Sequence, residues 1–251
     1  MFFGVSAVLF VASAWWTLHG CASMLAMGGM PMLGGWTMSM AWMRMPGQTW
    51  VGAAASFLGM WVVMMVAMML PSLVLMLRHY RQAVTGASGL RLGGLTMLVG
   101  VGYFFVWALV GAVIYPLGAA LAALEMNNLM LSSAVPFMVG VVFLIVGGLQ
   151  LTRWKACRLA CCRDAPGKDR TLPADAATAW RHGLRLGFHC CLCCAGLTAI
   201  LLVLGVMDWR AMMLVTAAIT AERLIPAGDN VAQILGLCAI AAGLVLIVRA
   251  A

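Results

Sequence analysis

The chain has 251 residues, 65% of them hydrophobic and only 9% charged, with 15 Lys and Arg against 7 acidic residues for a net charge of +8. No soluble domain hides that much apolar surface, and stretches of 18 or more apolar residues read as membrane-spanning helices. The positive excess falls between the apolar runs, where it sets topology and meets lipid headgroups, so the charge does not point to a nucleic-acid partner.

Seven apolar segments predict an all-α, polytopic transmembrane helix bundle of six to seven spans, forming a single integral membrane domain over 1–251. The first, 2–18, reads as a retained anchor helix, because no basic stretch precedes it as in a signal peptide. Leu18-His19-Gly20-Cys21 is only a faint lipoprotein box, His19 being an unusual neighbour for the cysteine. Link 19–49 holds Met24, Met27, Met30, Met32, Met38, Met40, Met43 and Met45 among glycines and prolines, too broken for a confident helix but apolar enough to lie on the membrane or fold over the bundle. The second segment is 50–77, and the third, 92–124, exceeds the ~20 residues needed to span, so it tilts or protrudes. The fourth is 134–152. A polar stretch, 153–183, then carries 10 of the 22 charged residues and is too short to build its own core. Segments 184–206, 209–225 and 229–249 complete the chain, the sixth being short and carrying Glu222 and Arg223.

Arg78, Arg81 and Arg91 occupy the link between segments two and three. Arg153, Lys155, Arg158, Arg163, Lys168, Arg170, Arg181 and Arg185 fill the next but one, while the alternate links hold almost no positive charge. The positive-inside rule then makes 153–183 a basic cytoplasmic loop and 19–49 an outer link of a multi-pass membrane protein. Seven spans put the N-terminus in the cytoplasm and Arg249 outside.

Nine cysteines stand in this apolar chain, and four crowd into His189-Cys190-Cys191-Leu192-Cys193-Cys194. Cys190/Cys193 and Cys191/Cys194 are overlapping CxxC pairs, and residues three apart share a helical face, so they can grip one metal ion or exchange a disulfide. Cys157 and Cys161, four apart, could share a face as well, and His189 adds a nitrogen donor. Thiolate softness makes Cu(I) the first candidate, with zinc as the alternative. A reducing compartment disfavours a structural disulfide framework. Cysteines packing as small hydrophobes, and palmitoylation of Cys157, Cys161 and Cys162, are the competing readings.

In segment two, Met60, Met64 and Met68 recur every four residues, with Met65 and Met69 as an adjacent stripe. Thioethers prefer Cu(I), so the stripe could pass that ion inward from His19, Cys21 and the Met-rich link; the plain alternative is that Met fills gaps between helices. Pro71 frees a carbonyl one turn back, near Ala67. By helical rise, Met68, ten residues before Arg78, lies about 15 Å in; Cys193, eight past Arg185, about 12 Å; and Cys238, nine past Asp229, about 14 Å. These predict one Met/Cys layer. Glu222, an ionisable group inside an apolar segment, is a functional candidate by default, the plain alternative being an interfacial pair with Arg223.

The segment Met64-Met65-Val66-Ala67-Met68-Met69-Leu70-Pro71-Ser72 resembles the methionine–proline signature of a bacterial family described as predicted metal-binding integral membrane proteins. Three further pieces match in order: Gln150-Leu151-Thr152 with Lys155, Cys157, Cys161, Arg163 and Pro166; Gly187 through Cys190, Cys193 and Cys194 to Gly205-Val206-Met207; and Glu222-Arg223-Leu224-x-Pro226. The resemblance covers about 50–245 and implies a polytopic helical fold in a bacterial inner membrane, a metal connection and a small soluble partner protein. It favours Cys157, Cys161, Cys190, Cys193, Cys194, Met64, Met65, Met68, Met69 and Glu222, with Cys162 and Cys191 as thiols beyond the family pattern.

The leading expectation is therefore a membrane protein that binds a soft metal, copper first, in its handling, transfer or transport. A metal- or thiol-dependent membrane oxidoreductase and a non-catalytic subunit of a larger membrane complex are the alternatives.

Overall fold

In the computed structural model, residues 2–26, 28, 30–32, 36–44, 47–85, 88–163, 172–225 and 228–250 are described. Eight helices carry the fold: α1 (Phe2–Ala26), α2 (Trp50–Ala83), α3 (Gly89–Asn127), α4 (Leu129–Gln150), α5 (Arg153–Arg163), α6 (Ala176–Leu204), α7 (Trp209–Leu224) and α8 (Gly228–Ala250). A hairpin of two-residue strands, Met30–Pro31 and Thr37–Met38, is the only sheet among the described residues. The all-α expectation holds.

Six helices are long and apolar enough to cross a membrane: α1, α2, α3, α4, α6 and α8. The remaining predicted segment is α7, whose 16 residues span about 24 Å against the ~30 Å of a bilayer core. Charge shortens it, because Glu222 and Arg223 end its apolar run. It nevertheless runs end to end along the bundle. Met212, near its start, accepts from the thiol of Cys21 near the end of α1, at 3.8 Å. Glu222, near its finish, meets the end of α4. The alternation of direction that seven segments imply is therefore kept, with α7 as its shortest leg.

Two boundaries differ from expectation. Helix α1 continues to Ala26, so His19 and Cys21 belong to it rather than to the Met-rich link. The stretch 153–183 is not one loop: it opens with α5 and closes with the first two turns of α6. Asp175 caps α6 by accepting from the Thr178 backbone N–H at 3.1 Å. A hydrogen bond from the Thr178 side chain, with the backbone contact adding, holds its carboxyl below the usual aspartate range. The segment just before it docks on the α2–α3 turn, where the Leu172 N–H bonds the Ala83 carbonyl and Arg91 bonds the Ala174 carbonyl.

Pro71 does not break α2, which is helical through it. Of the Met-rich link, Met38 is buried, and Trp36 donates to the Ser132 carbonyl at 3.0 Å. Trp42 lies over Gly118, where any Cβ would collide with its ring. Met27 and Met45 lie outside the described residues, as do the side chains of Met24, Met30 and Met40.

Two helix pairs pack through glycine. Helices α3 and α6 run parallel: Gly102 faces the Trp180 carbonyl, Gly183 the Val99 carbonyl and Gly187 the Tyr103 carbonyl. Helices α4 and α8 run antiparallel through Gly140, Gly147, Gly236 and Gly243, each against the facing backbone. Small residues at such crossings let backbones approach more closely than any side chain would allow. Helix α2 packs antiparallel on α3, with the Trp61 indole N–H donating to the Trp107 carbonyl at 2.9 Å.

Candidate metal centre

The close approach of α3 and α6 sets the geometry of the site. With Gly183 and Gly187 against α3, the next turn of α6 brings Cys190 against the Tyr103 hydroxyl, 2.8 Å from Sγ to Oη. Helix α2 adds Met69, whose Sδ lies 4.0 Å from the Cys190 sulfur. Helix α7 sends in Arg223. Its Nη2 lies 3.0 Å from Cys190 Sγ, 3.3 Å from Cys194 Sγ and 4.0 Å from Cys162 Sγ. Its Nη1 donates to Ser72 Oγ at 3.2 Å. Every side chain in this set is buried.

The second buried cation sits beside the first. Lys155, at the start of α5, points inward and is only 4% exposed. It pairs with Glu222 at 2.8 Å and donates to the Cys193 carbonyl at the same distance. Gln150 donates to the other Glu222 oxygen at 2.7 Å. The Glu222–Arg223 pairing is thereby corrected. Consecutive helical residues point about 100° apart, so Glu222 turns to α4 and α5 while Arg223 turns to the thiols. Lys155 is likewise corrected as a charge of the exposed basic loop.

The structure brings together a part of the expected residues. Cys190, Cys193, Cys194, Met64, Met65, Met68 and Met69 are all buried in one core cluster. Cys191 is half-buried on the flank of α6, and His189, also half-buried, holds an Nδ1 with no hydrogen-bond partner. Cys157 is exposed on α5, Cys238 is exposed on α8 and His19 is exposed on α1; none joins the cluster. The predicted level of Cys238 does not bring it into the layer, because its side of α8 faces away. Cys21 is buried with Met212, at the other end of α7. The side chain of Cys161 lies outside the described residues. Its neighbour Cys162 is the α5 thiol that turns inward, donating to the His189 carbonyl at 3.4 Å. Its hydrogen bond to Cys193, with burial adding, raises that thiol above its ordinary range.

Spacing missed four contributors: Cys162, Arg223, Tyr103 and Ser72. Helical phase offered one signal. The thiols that converge on Arg223 from α6 are Cys190 and Cys194, four apart, rather than either CxxC pair. No signal in the sequence marks Tyr103, which reaches the site only through the glycine crossing.

Among the described residues, no three His, Cys, Asp or Glu side chains converge with metal-chelating geometry. What converges is softer: two thiols, a thioether and a third thiol, arranged about a guanidinium. A sequence model of one family, described as a copper chaperone family and named PpoB2, matches residues 58–246. The chain belongs to that family. No curated protein and no solved structure matches it. The matched residues contain α2 from Leu58 onward through most of α8, and with them every side chain of the thiol–guanidinium cluster. The copper connection of the family agrees with the donor chemistry: soft sulfur suits Cu(I), and the neutral Met69 thioether adds no charge to be compensated.

Proposed function

We propose that this copper chaperone family member is a multi-pass protein of the bacterial inner membrane that carries Cu(I) as cargo between the Cys190 and Cys194 thiolates. The observation that carries the reading is the convergence of Cys190, Cys194 and Met69 in a buried core. Two thiolates suffice for Cu(I), which accepts two-coordinate sulfur ligation, so the lack of a three-residue chelate does not count against it. Six apolar helices and the basic residues at one end of the bundle support membrane integration with that end in the cytoplasm. Met64, Met65 and Met68 continue the sulfur surface along α2 from Met69 and form the candidate approach route. Cys193 lies one residue from Cys194 and shares a bond with Cys162, which would let α5 sense the ion. Cys157, exposed on the outer face of α5, is the candidate hand-off thiol to a small soluble partner or another membrane subunit.

The test is copper content. Protein purified in detergent after growth with copper should carry the ion in stoichiometric amount, and Cys190→Ser and Cys194→Ser should each abolish it with the fold intact by circular dichroism. Copper near zero in the wild type, or equal in wild type and variants, would reject the assignment.

A further inference from the structure

A chaperone for Cu(I) must refuse zinc, which also favours thiolate. Sulfur softness alone does not achieve this, since zinc is bound by thiolates at high affinity in many sites. Arg223 supplies what the donors lack.

Arg223 is a buried guanidinium with no carboxylate partner among the described residues, because Glu222 is taken by Lys155 and Gln150. A guanidinium keeps its charge in any protein environment, and a buried charge without a counter-charge is strongly unfavourable. Among the described residues, the groups within reach of Nη2 are the sulfurs of Cys190, Cys194 and Cys162; beyond them Nη1 meets only the Ser72 hydroxyl, and Nε is buried without a partner. The positive charge is therefore a permanent part of the thiol cavity. Two thiolates contribute two negative charges, and the guanidinium already offsets one. A monovalent ion leaves the loaded cavity neutral, with each thiol proton released as its sulfur binds the metal. A divalent ion needs one negative charge more, and among the described residues no free carboxylate supplies it, only the deprotonation of a further thiol such as Cys162, 4.0 Å from Nη2.

Resting on the copper reading above, we infer that Arg223 makes the Cys190/Cys194 site selective for monovalent soft cations, Cu(I) and Ag(I), over Zn(II), by holding half of the site's charge balance in place. Arg223 is thus a specificity-determining residue rather than a metal ligand. Ser72 positions it, and the Lys155–Glu222 pair keeps the neighbouring carboxylate from cancelling it.

The test uses the full chain in detergent or lipid nanodiscs, titrated anaerobically with Ag(I) and separately with Zn(II) against competing chelators. Wild type should bind Ag(I) far more tightly than Zn(II). Arg223→Gln should reduce the Ag(I)/Zn(II) affinity ratio by at least roughly tenfold, since one unit charge within 4 Å is removed. Arg223→Lys, which keeps the charge, should hold the ratio close to wild type. Ser72→Asp cancels the charge in place with the arginine retained, and should shift the ratio in the same direction as Arg223→Gln. That variant decides the matter if Arg223→Gln does not fold. A ratio unchanged in whichever of Arg223→Gln and Ser72→Asp folds, or a wild type that prefers Zn(II), overturns the inference and leaves the copper site standing. A wild type that binds neither ion overturns the copper reading and the inference with it.

Discussion

The α3–α6 and α4–α8 pairs use the same device for different ends. Both are glycine crossings at which facing carbonyls would collide with a Cβ. In α4–α8 the close approach meets mostly apolar side chains, Leu144, Ile240 and Ile247, with Gln150 at the Gly236 end. In α3–α6 the same closeness aligns Tyr103 with Cys190 and, one turn on, leaves Cys194 beside Arg223. A helix crossing is thus indifferent to function; the residues one turn beyond it decide whether it is scaffold or site. The two pairs are joined by one polar clamp, in which Gln150 of α4, Lys155 of α5 and Glu222 of α7 share a buried bond network.

Severing that clamp is the strongest way to break the comparison. Glu222→Gln leaves Lys155 buried without its counter-charge, which should cost about 3–5 kcal/mol. The measurement is thermal unfolding in detergent, and a melting temperature within error of wild type would show that the two pairs do not depend on the clamp.

The next effect separates the pairs directly. Gly183→Ala drives a methyl into the Val99 carbonyl, and Gly147→Ala drives one toward Ile240 Cγ1 at 2.6 Å. Each should lose roughly 1–3 kcal/mol of stability by overpacking. Only Gly183→Ala should also weaken Ag(I) binding, because only that crossing sets Cys190 against Tyr103. Equal silver affinity in the two variants would mean that the site does not depend on the α3–α6 approach.

The smallest change sharpens the picture within one pair. Tyr103→Phe keeps the ring and removes the hydroxyl beside Cys190, a bond worth on the order of 1 kcal/mol. Silver affinity should fall several-fold with little change in melting temperature; a change in melting alone would assign Tyr103 to packing.

Much of the fold was legible in the chain because apolar length and charge position are one-dimensional signals. Six of seven segments reappear as long apolar helices, and the seventh is short where Glu222 and Arg223 fall. The Met64–Met69 stripe was readable for the same reason, since four-residue spacing fixes a face. The partner of a charged residue was not readable. Glu222 and Arg223 are adjacent in sequence, yet their bonds go to residues 67 and 33 positions away. Cysteine spacing told only part: CxxC counts neighbours on one helix, whereas the thiols that meet Arg223 come from α5 and α6 together. Cys157 and Cys162 lie on one short helix, and only the inward phase of the second makes it part of the centre.

The buried Lys155 has a further consequence for how the protein is made. Its carboxylate partner is 67 residues downstream. At 5–20 residues per second of synthesis, Lys155 waits about 3–13 s before Glu222 exists. Arg223 leaves the ribosome one residue after Glu222. The clamp and the guanidinium therefore arrive together, and the thiols of Cys162, Cys190 and Cys194 emerge into the cell before the charge that completes their cavity. The thiol–guanidinium cluster therefore cannot close until α7 has been made.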